Sequence, residues 1–501
     1  MADQSLLAAI DLGSNSFRLL IGRVNGEDEA GFVLSRVDSL KRTVRLAAGL
    51  DAAGRLDHGS QQRALEALSS FADRLRSFGP ERVRAVATNT FRVASNAREF
   101  LRTAEAVLGF PIEVISGREE ARLIYVGASR ELPFDGHERL VIDIGGGSTE
   151  CIIGRNRQVA LLESVPTGCV SLTQSFFADG RVSAQDFADA YHQSRSQFQV
   201  VASQFRDHGW QYAVGTSGTA KALSQIAQQA FSNDRLGRAV LVDLRDRLIA
   251  AGSVSKLELS GLKADRVPVL AGGVAVMLAA FEEFALDEIG YCRGALGQGV
   301  LLDMLDRQVG IDPRERTVLA MMRRYPIDRV QADQVSRTAR ALYDQAARGA
   351  QELVRRERQS LDWAARLAEI GLAVSHDDYH KHTWYLLQHS DMPGFTADEQ
   401  AHIAWLALGQ TGGLRKLRSG LLGDELTRLA VLALRLAVIL HRSRSPQVLP
   451  LPALFLKRGK LGLELDRTWA SANTLAVDNL RAEGAAWVQA GLLDSADVRI
   501  L

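Results

Sequence analysis

Along the chain, the period of hydrophobic and polar positions changes near residue 305. Before it, short apolar runs at Leu6–Asp11, Phe17–Val24, Arg84–Ala87, Ile112–Ile115 and Arg139–Ile144 are bounded by Gly, Ser or Asn, the punctuation of β-strands. Between them, Gln61–Phe78, Arg98–Leu108 and Ala184–Phe205 repeat apolar residues at helical spacing. Strands alternating with helices predict an α/β architecture. Beyond residue 305 the period is almost wholly helical to about 445, as in Val330–Glu357, Leu361–Ala373 and Ala397–Leu408. From Val448 the tail, with Leu449-Pro450-Leu451-Pro452 and then Leu461–Leu465, predicts a small α/β or β appendage.

One pattern occurs twice. Ile10-Asp11-Leu12-Gly13-Ser14-Asn15-Ser16 is echoed by Ile142-Asp143-Ile144-Gly145-Gly146-Gly147-Ser148. Each copy ends one apolar strand and leads into another, Phe17–Val24 and Cys151–Gly154 respectively. Two copies of a strand–turn–strand unit predict two similar domains that face each other, with the turns bordering a cleft.

Composition narrows the class of function. The 501 residues hold 60 Lys+Arg against 59 Asp+Glu, a net charge of +1, which excludes a tail-type nucleic-acid binder. Arg greatly outnumbers Lys, a bias that a GC-rich genome explains and that phosphate or carboxylate recognition would also exploit. Cys151, Cys169 and Cys292 are far apart and lack metal-ligand or disulfide spacing, so a reducing compartment is expected. The longest nearly apolar stretch, Val267–Phe281, is too short to span a membrane and reads as a buried helix. With no signal peptide visible, the cytoplasm is the expected location.

The turns carry the candidate chemistry. Consecutive Gly, Ser and Asn let backbone N–H groups converge on an anion, and the hydroxyls of Ser14, Ser16, Ser148 and Thr149 add donors. Arg18 can add a bidentate phosphate contact or form a structural ion pair. A third turn, Gly215-Thr216-Ser217-Gly218, follows a short strand and opens a helix, another anion cradle. Acids beside phosphate loops repel the ligand unless a cation bridges them, so Asp11, Asp143 and Glu150 point to Mg²⁺ or a similar hard ion. Capping of the turns also accounts for Asp11 and Asp143. Thr88, Asn89 and Arg92 follow another strand, where a phosphate site and an ordinary strand-to-helix cap both fit. At Ser116-Gly117-Arg118-Glu119-Glu120 a capping box uses Ser116 and Glu119 and leaves Glu120 over as a candidate general base. Cys169, at a helix entry, reads as a small buried side chain.

IDLGSNSFRLL, VATNTFRVASN, ISGREEARLIY, VIDIGGGSTE, PTGCVSLT and VGTSGTAKAL together resemble the motif series of the Ppx/GppA family, the exopolyphosphatases and guanosine pentaphosphate phosphohydrolases. The resemblance implies two actin/Hsp70-like (ribonuclease H-like) domains around a cleft, at 1–125 and 126–305. It also implies an all-α, HD-like domain at 306–447, ahead of the appendage at 448–501. It assigns Glu120 to the attacking water and Asp143, Glu150 and Asp11 to Mg²⁺ (or Mn²⁺). Ser14, Asn15, Ser16, Arg18, Thr88, Arg92, Gly145, Gly146, Gly147, Ser148, Gly215, Thr216, Ser217 and Gly218 would hold phosphates. Where an HD enzyme has His-Asp this chain has Ala368-Glu369, so His376, Asp377, His380, His382 and His389 read as polar surface or interface residues that could face phosphate. The clusters Arg323-Arg324, Arg355-Arg356-Arg358 and Arg415-Lys416-Arg418 read as solvated faces or as part of a polymer path. The expected reaction is processive exopolyphosphatase hydrolysis, with hydrolysis of guanosine pentaphosphate to the tetraphosphate as the alternative. A kinase of the same superfamily and a non-catalytic alarmone sensor are the readings from other classes. A homodimer is expected, without nucleic-acid or membrane partners.

Overall fold

The computed structural model describes residues 6–28, 31–51, 53–233, 235–257, 259–308, 312–417, 424–444 and 449–501. Val448 and Arg418 of the sequence reading lie outside them. The chain forms two compact units, 1–312 and 313–501.

The first unit holds two sheets. In the first, β1 (Leu6–Leu12) and β2 (Ser16–Asp28) form a hairpin, β3 (Gly31–Thr43) extends it, and β4 (Val83–Ala87) and β5 (Ile112–Val114) add in parallel, in the order 3-2-1-4-5. The second sheet comprises β6 (Glu138–Ile144), β7 (Thr149–Arg155), β8 (Gln158–Val165), β9 (Tyr212–Thr216), β10 (Leu236–Gly237) and β11 (Glu288–Tyr291). Its order, read from the β8 edge, is 8-7-6-9-11-10, the same arrangement with one extra edge strand. The echo in the sequence is therefore a duplicated fold.

Helices cover the sheets because their apolar stripes need a partner. The Val267–Phe281 stretch begins as a short 3-10 turn and becomes the Leu270–Glu283 helix, buried along nearly its whole length in the core of the second sheet. Two helices run against each other between the sheets, Gly117–Ser129 and Leu296–Gln308. Glycines set their spacing: a Cβ at Gly127, Gly294 or Gly299 would run into the opposing backbone. A buried ionic cluster fixes the pair to the first sheet. Asp303 accepts from Arg84, Arg122 and Arg307, while Arg84 also pairs with Glu113 and Arg122 with Glu119. The Glu119 carboxylate thus turns to Arg122 and not back to the helix cap, although Ser116 does accept from its backbone N–H at 3.1 Å.

The second unit is helical with a small sheet. The single helix expected over Val330–Glu357 is two, Arg329–Ala346 and Gln351–Arg366, because Gly349 breaks it at φ +138°. The stretch expected to be helical over Leu361–Ala373 is divided as well, ending as a separate 3-10 turn at Ile370–Ala373. β12 (Ala453–Lys457), β13 (Lys460–Leu465) and β14 (Ser495–Ile500) form the small sheet, and Leu454, Leu461, Leu463 and Trp487 share one apolar core with the preceding helices. At the segment resembling an HD motif, Ala368 O accepts from Thr383 Oγ1 and Gln410 Nε2, and Glu369 pairs with Arg444. Arg355 and Arg358 pair with Glu352 and Asp344 on solvated faces.

Candidate active site

The two hairpin turns meet. A Cβ placed on Gly146 would stand 2.8 Å from Ser14 Cβ and 3.3 Å from Asn15 N, so only glycine lets the second turn approach the first this closely. The carbonyls of both turns are engaged on their far sides. Ser14 O and Asn15 O accept from Ala47 N and from Val44 N and Arg45 N, while Gly145 O and Gly146 O cap the Cys169–Phe176 helix. In a trans peptide the following N–H points opposite to the carbonyl. Each turn therefore directs N–H groups away from those anchors, an arrangement suited to an anion.

Between the turns lies a cleft of about 480 Å³. Besides the exposed Glu131, which accepts from Gln298 Nε2 at 3.3 Å, four carboxylates line it: Asp11, Glu120, Asp143 and Glu150. Each comes from a defined place. Asp11 and Asp143 are the penultimate residues of β1 and β6, Glu150 lies opposite Asp143 across the β6–β7 hairpin, and Glu120 sits in the first turn of its helix. Glu120, Asp143 and Glu150 are buried, and Asp11 Oδ1 is sealed from water without a hydrogen-bond partner.

Burial pushes all four acids up, and repulsion from neighbouring acids adds to the rise at Asp11, Asp143 and Glu150. Burial raises the Asp11 carboxyl to about 7 against the pull of Arg18, with Glu120 and Asp143 adding to the rise. Asp143 rises to about 6, chiefly through burial, although Ser217 Oγ donates to its Oδ2 at 2.5 Å. Glu150 is pushed well above the carboxylate range by burial, Glu120 and Asp143, against a 2.8 Å hydrogen bond from Ser164. Glu120 is raised by burial and opposed by Arg92, whose Nη1 donates to it at 2.8 Å and to Ile115 O at 3.0 Å. Four acids in one dry cleft cannot all ionise unless a cation joins them.

The donor set fits Mg²⁺. Among the described residues no three His, Cys, Asp or Glu side chains are grouped to hold a metal by themselves. Mg²⁺ does not require such a cage: it keeps several waters and takes one or two carboxylates plus substrate phosphate oxygens. Asp11, Asp143 and Glu150 are the residues that would hold it.

Residues 24–308 match the Ppx/GppA phosphatase family, and residues 313–484 match that family's phosphatase domain III. The chain belongs to the Ppx/GppA phosphatase family. It is 36% identical over 487 residues to guanosine-5'-triphosphate,3'-diphosphate pyrophosphatase of Aeromonas hydrophila subsp. hydrophila, covering 96% of this chain and 97% of that one. Its fold is similar to the crystal structure of an exopolyphosphatase from Cytophaga hutchinsonii (TM-score 0.54, 24% identity, 60% of this chain and 98% of that one). It is equally similar to an exopolyphosphatase-like protein (TM-score 0.53, 24% identity, 61% and 100%). Among the described residues no helix is long and apolar enough to cross a membrane.

Most site residues read from the sequence of this Ppx/GppA phosphatase line the cleft. Ser14, Asn15, Ser16, Arg18, Thr88, Gly145, Gly146, Ser148, Ser217 and Gly218 join the four acids there. Four do not. Arg92 stands behind Glu120 and is spent on it and on Ile115 O. The Thr216 hydroxyl turns to Gly294 O, Gly215 is paired within the sheet between β6 and β11, and Gly147 packs against Asn89. The third turn is also shorter than expected. Its helix begins at Ser217, which holds a left-handed φ of 61° as it donates to Asp143, a strained backbone placed at the site. Cys169 is buried with its thiol pushed up, so it is no nucleophile. The sequence reading missed Arg36, Lys41, Lys221, Lys263, Arg266 and Arg293, all basic residues beside the cleft. No local motif marks them. Arg266 could have been found only as the partner of Gly218, over which its guanidinium lies.

Proposed function

We propose that the chain hydrolyses the terminal phosphoanhydride of guanosine pentaphosphate, releasing orthophosphate and the tetraphosphate, with inorganic polyphosphate as the second substrate. The hydrolase reading rests on one observation: a buried four-carboxylate cleft closed by two glycine turns, with Glu120 held by Arg92 in a setting suited to a base. End-to-end likeness to a guanosine-5'-triphosphate,3'-diphosphate pyrophosphatase supports the nucleotide as first substrate, the order opposite to the sequence reading. The polymer is favoured by the many cations at the cleft mouth, which would accept phosphates beyond the terminal one.

In this reading the turn N–H groups, Ser14, Ser16 and Ser148 hold the terminal phosphoryl group, and Arg18 neutralises its charge. Glu120 accepts a proton from the attacking water, and its raised proton affinity suits that role. Arg92 fixes the carboxylate in place. A divalent ion at Asp11, Asp143 and Glu150 would neutralise charge that develops on the phosphoryl oxygens. Catalysis is then mostly positioning and electrostatics. The cytoplasmic location and the homodimer belong to the same proposal, the latter open to light scattering.

Comparison of kcat/KM on guanosine pentaphosphate and on long-chain polyphosphate tests the reading. Mg²⁺-dependent release of phosphate from the nucleotide, faster than from the polymer, is the expected result. Failure to hydrolyse either, or ATP-dependent phosphorylation of an acceptor, would refute it.

A further inference from the structure

Two of the acids assigned to the metal each have one oxygen occupied by a serine. Ser217 Oγ donates to Asp143 Oδ2 at 2.5 Å, and Ser164 Oγ donates to Glu150 Oε1 at 2.8 Å. The other oxygens, Asp143 Oδ1 and Glu150 Oε2, accept no hydrogen bond among the described residues. Glu150 Oε2 lies on the side of the second glycine turn, 4.0 Å from where a Cβ on Gly145 would stand. Each acid therefore holds one oxygen back and offers the other to the cleft that both line.

The fold fixes both serines. Ser164 stands directly opposite Glu150 in the β7–β8 ladder, so its hydroxyl meets the carboxylate across the strands. It is also wedged against the start of the Gly117–Ser129 helix, which carries Glu120. A Cβ on Gly117 would stand 2.5 Å from both Ser164 Cβ and Ser164 Oγ, a closeness that any side chain there would prevent. Ser164 is not among the residues that line the cleft, so it reaches the chemistry only through Glu150. Ser217 opens its helix at a left-handed φ of 61°, and this strained backbone presents its hydroxyl to Asp143.

How many oxygens an acid offers bears on which ion it takes. Mg²⁺ is small, demands near-octahedral geometry and keeps several waters, whereas the larger Ca²⁺ readily accepts both oxygens of one carboxylate. For Glu150 or Asp143 to grip Ca²⁺ with both oxygens, a serine must first give up a hydrogen bond to a charged acceptor, one of the stronger kinds. Ligation of Mg²⁺ through the open oxygen leaves that bond intact.

We infer that Ser164 and Ser217 are positioning residues that set metal specificity: by holding one oxygen of Glu150 and one of Asp143, they restrict both acids to single-oxygen ligation and favour Mg²⁺ over Ca²⁺. The inference rests on the assignment of those acids to the metal in the phosphohydrolase reading, but its test needs no turnover.

Thermal melting of the full chain against Mg²⁺ alone and Ca²⁺ alone, without substrate, yields a dissociation constant for each ion. Ser164→Ala removes one hydroxyl. Ser217→Gly removes the other and relaxes the left-handed backbone, so the two variants put different demands on folding, which circular dichroism checks. The ratio of Ca²⁺ to Mg²⁺ affinity should rise about tenfold in each variant and further in the double substitution. A merely structural role would weaken both ions alike. An unchanged ratio in both single variants, a shift toward Mg²⁺, or equal loss for the two ions would overturn the inference. Wild-type melting that responds to neither ion would remove the metal assignment and the inference together. The expected shift in a chain that hydrolyses neither guanosine pentaphosphate nor polyphosphate would sink the proposed reaction and leave the role of the serines standing.

Discussion

Asp143→Asn should make the metal-free protein more stable at pH 8 while abolishing its activity. Asp143 is 4% exposed, and its carboxyl is raised from an ordinary 3.8 to about 6, mainly by burial and also by Glu120. For an acid raised in the folded state, the stabilising contribution is full below the unfolded value and is lost as pH climbs through the folded one. Between about pH 4 and 6 the native protein must therefore give up roughly 3 kcal/mol at this group, at about 1.4 kcal/mol per tenfold change in proton affinity. Asparagine carries no charge to bury and can still accept the hydroxyl proton of Ser217, which now donates to Oδ2. The variant should regain up to about 3 kcal/mol at pH 8, less at pH 5, and nothing near pH 3. Urea unfolding of wild type and variant at these pH values, with chelator present, measures the difference. Adding Mg²⁺ should then reverse the ranking, because a ligand at a thousand times its dissociation constant stabilises the wild type by about 4.1 kcal/mol. A variant less stable than wild type at pH 8 in chelator would refute the electrostatic account of the cleft.

Glu120→Gln should fold normally and lower kcat by roughly 10² to 10⁴, the range for losing a general base, in a single-turnover assay of phosphate release. Gly146→Ala forces a methyl group to within 2.8 Å of Ser14 Cβ, so activity should drop about tenfold or more while thermal stability falls by about 1–3 kcal/mol. Asp303→Asn leaves Arg84, Arg122 and Arg307 without their shared counter-charge in a buried site, and calorimetric melting should show about 3–5 kcal/mol of destabilisation.

What could be read from the sequence divides along a physical line. The strands and most helices of the first unit were legible because each is punctuated by Gly, Ser or Asn and buries a clear face. The break at Gly349 was not, since apolar residues at helical spacing continue on both sides of it and only the backbone angle separates two helices. Within the site, the acids and glycines were legible because their chemistry needs those residue types in one short segment. Arg92 stands outside the cleft lining for a related reason: its motif fixes where the residue sits but not which way the guanidinium turns, and here a buried carboxylate claims it. The basic residues beside the cleft were invisible, because Lys41, Lys221, Lys263 and Arg293 come from four distant segments that only the fold assembles.

The duplicated sheets explain how a symmetric framework carries an asymmetric reaction. In both hairpins an Asp is the penultimate residue of the first strand, and a charged residue faces it across the ladder. That partner is Arg18 opposite Asp11 and Glu150 opposite Asp143. One position, related by the duplication, thus bears opposite charges in the two copies. The arginine lowers the proton affinity of its neighbour and reaches toward the phosphate side, where it also borders the cationic mouth of the cleft. The glutamate, repelled by Asp143 and Glu120, remains ionised only if a cation compensates it. Exchanging the two charges is therefore not neutral, although the net charge is preserved. Arg18→Glu with Glu150→Arg would put a carboxylate at the phosphate entrance and a guanidinium where the metal should bind. The double variant should lose both Mg²⁺-dependent stabilisation and hydrolysis. Thermal melting with and without Mg²⁺ reads the first loss directly, and a variant that keeps its Mg²⁺ response would show that Glu150 does not hold the ion.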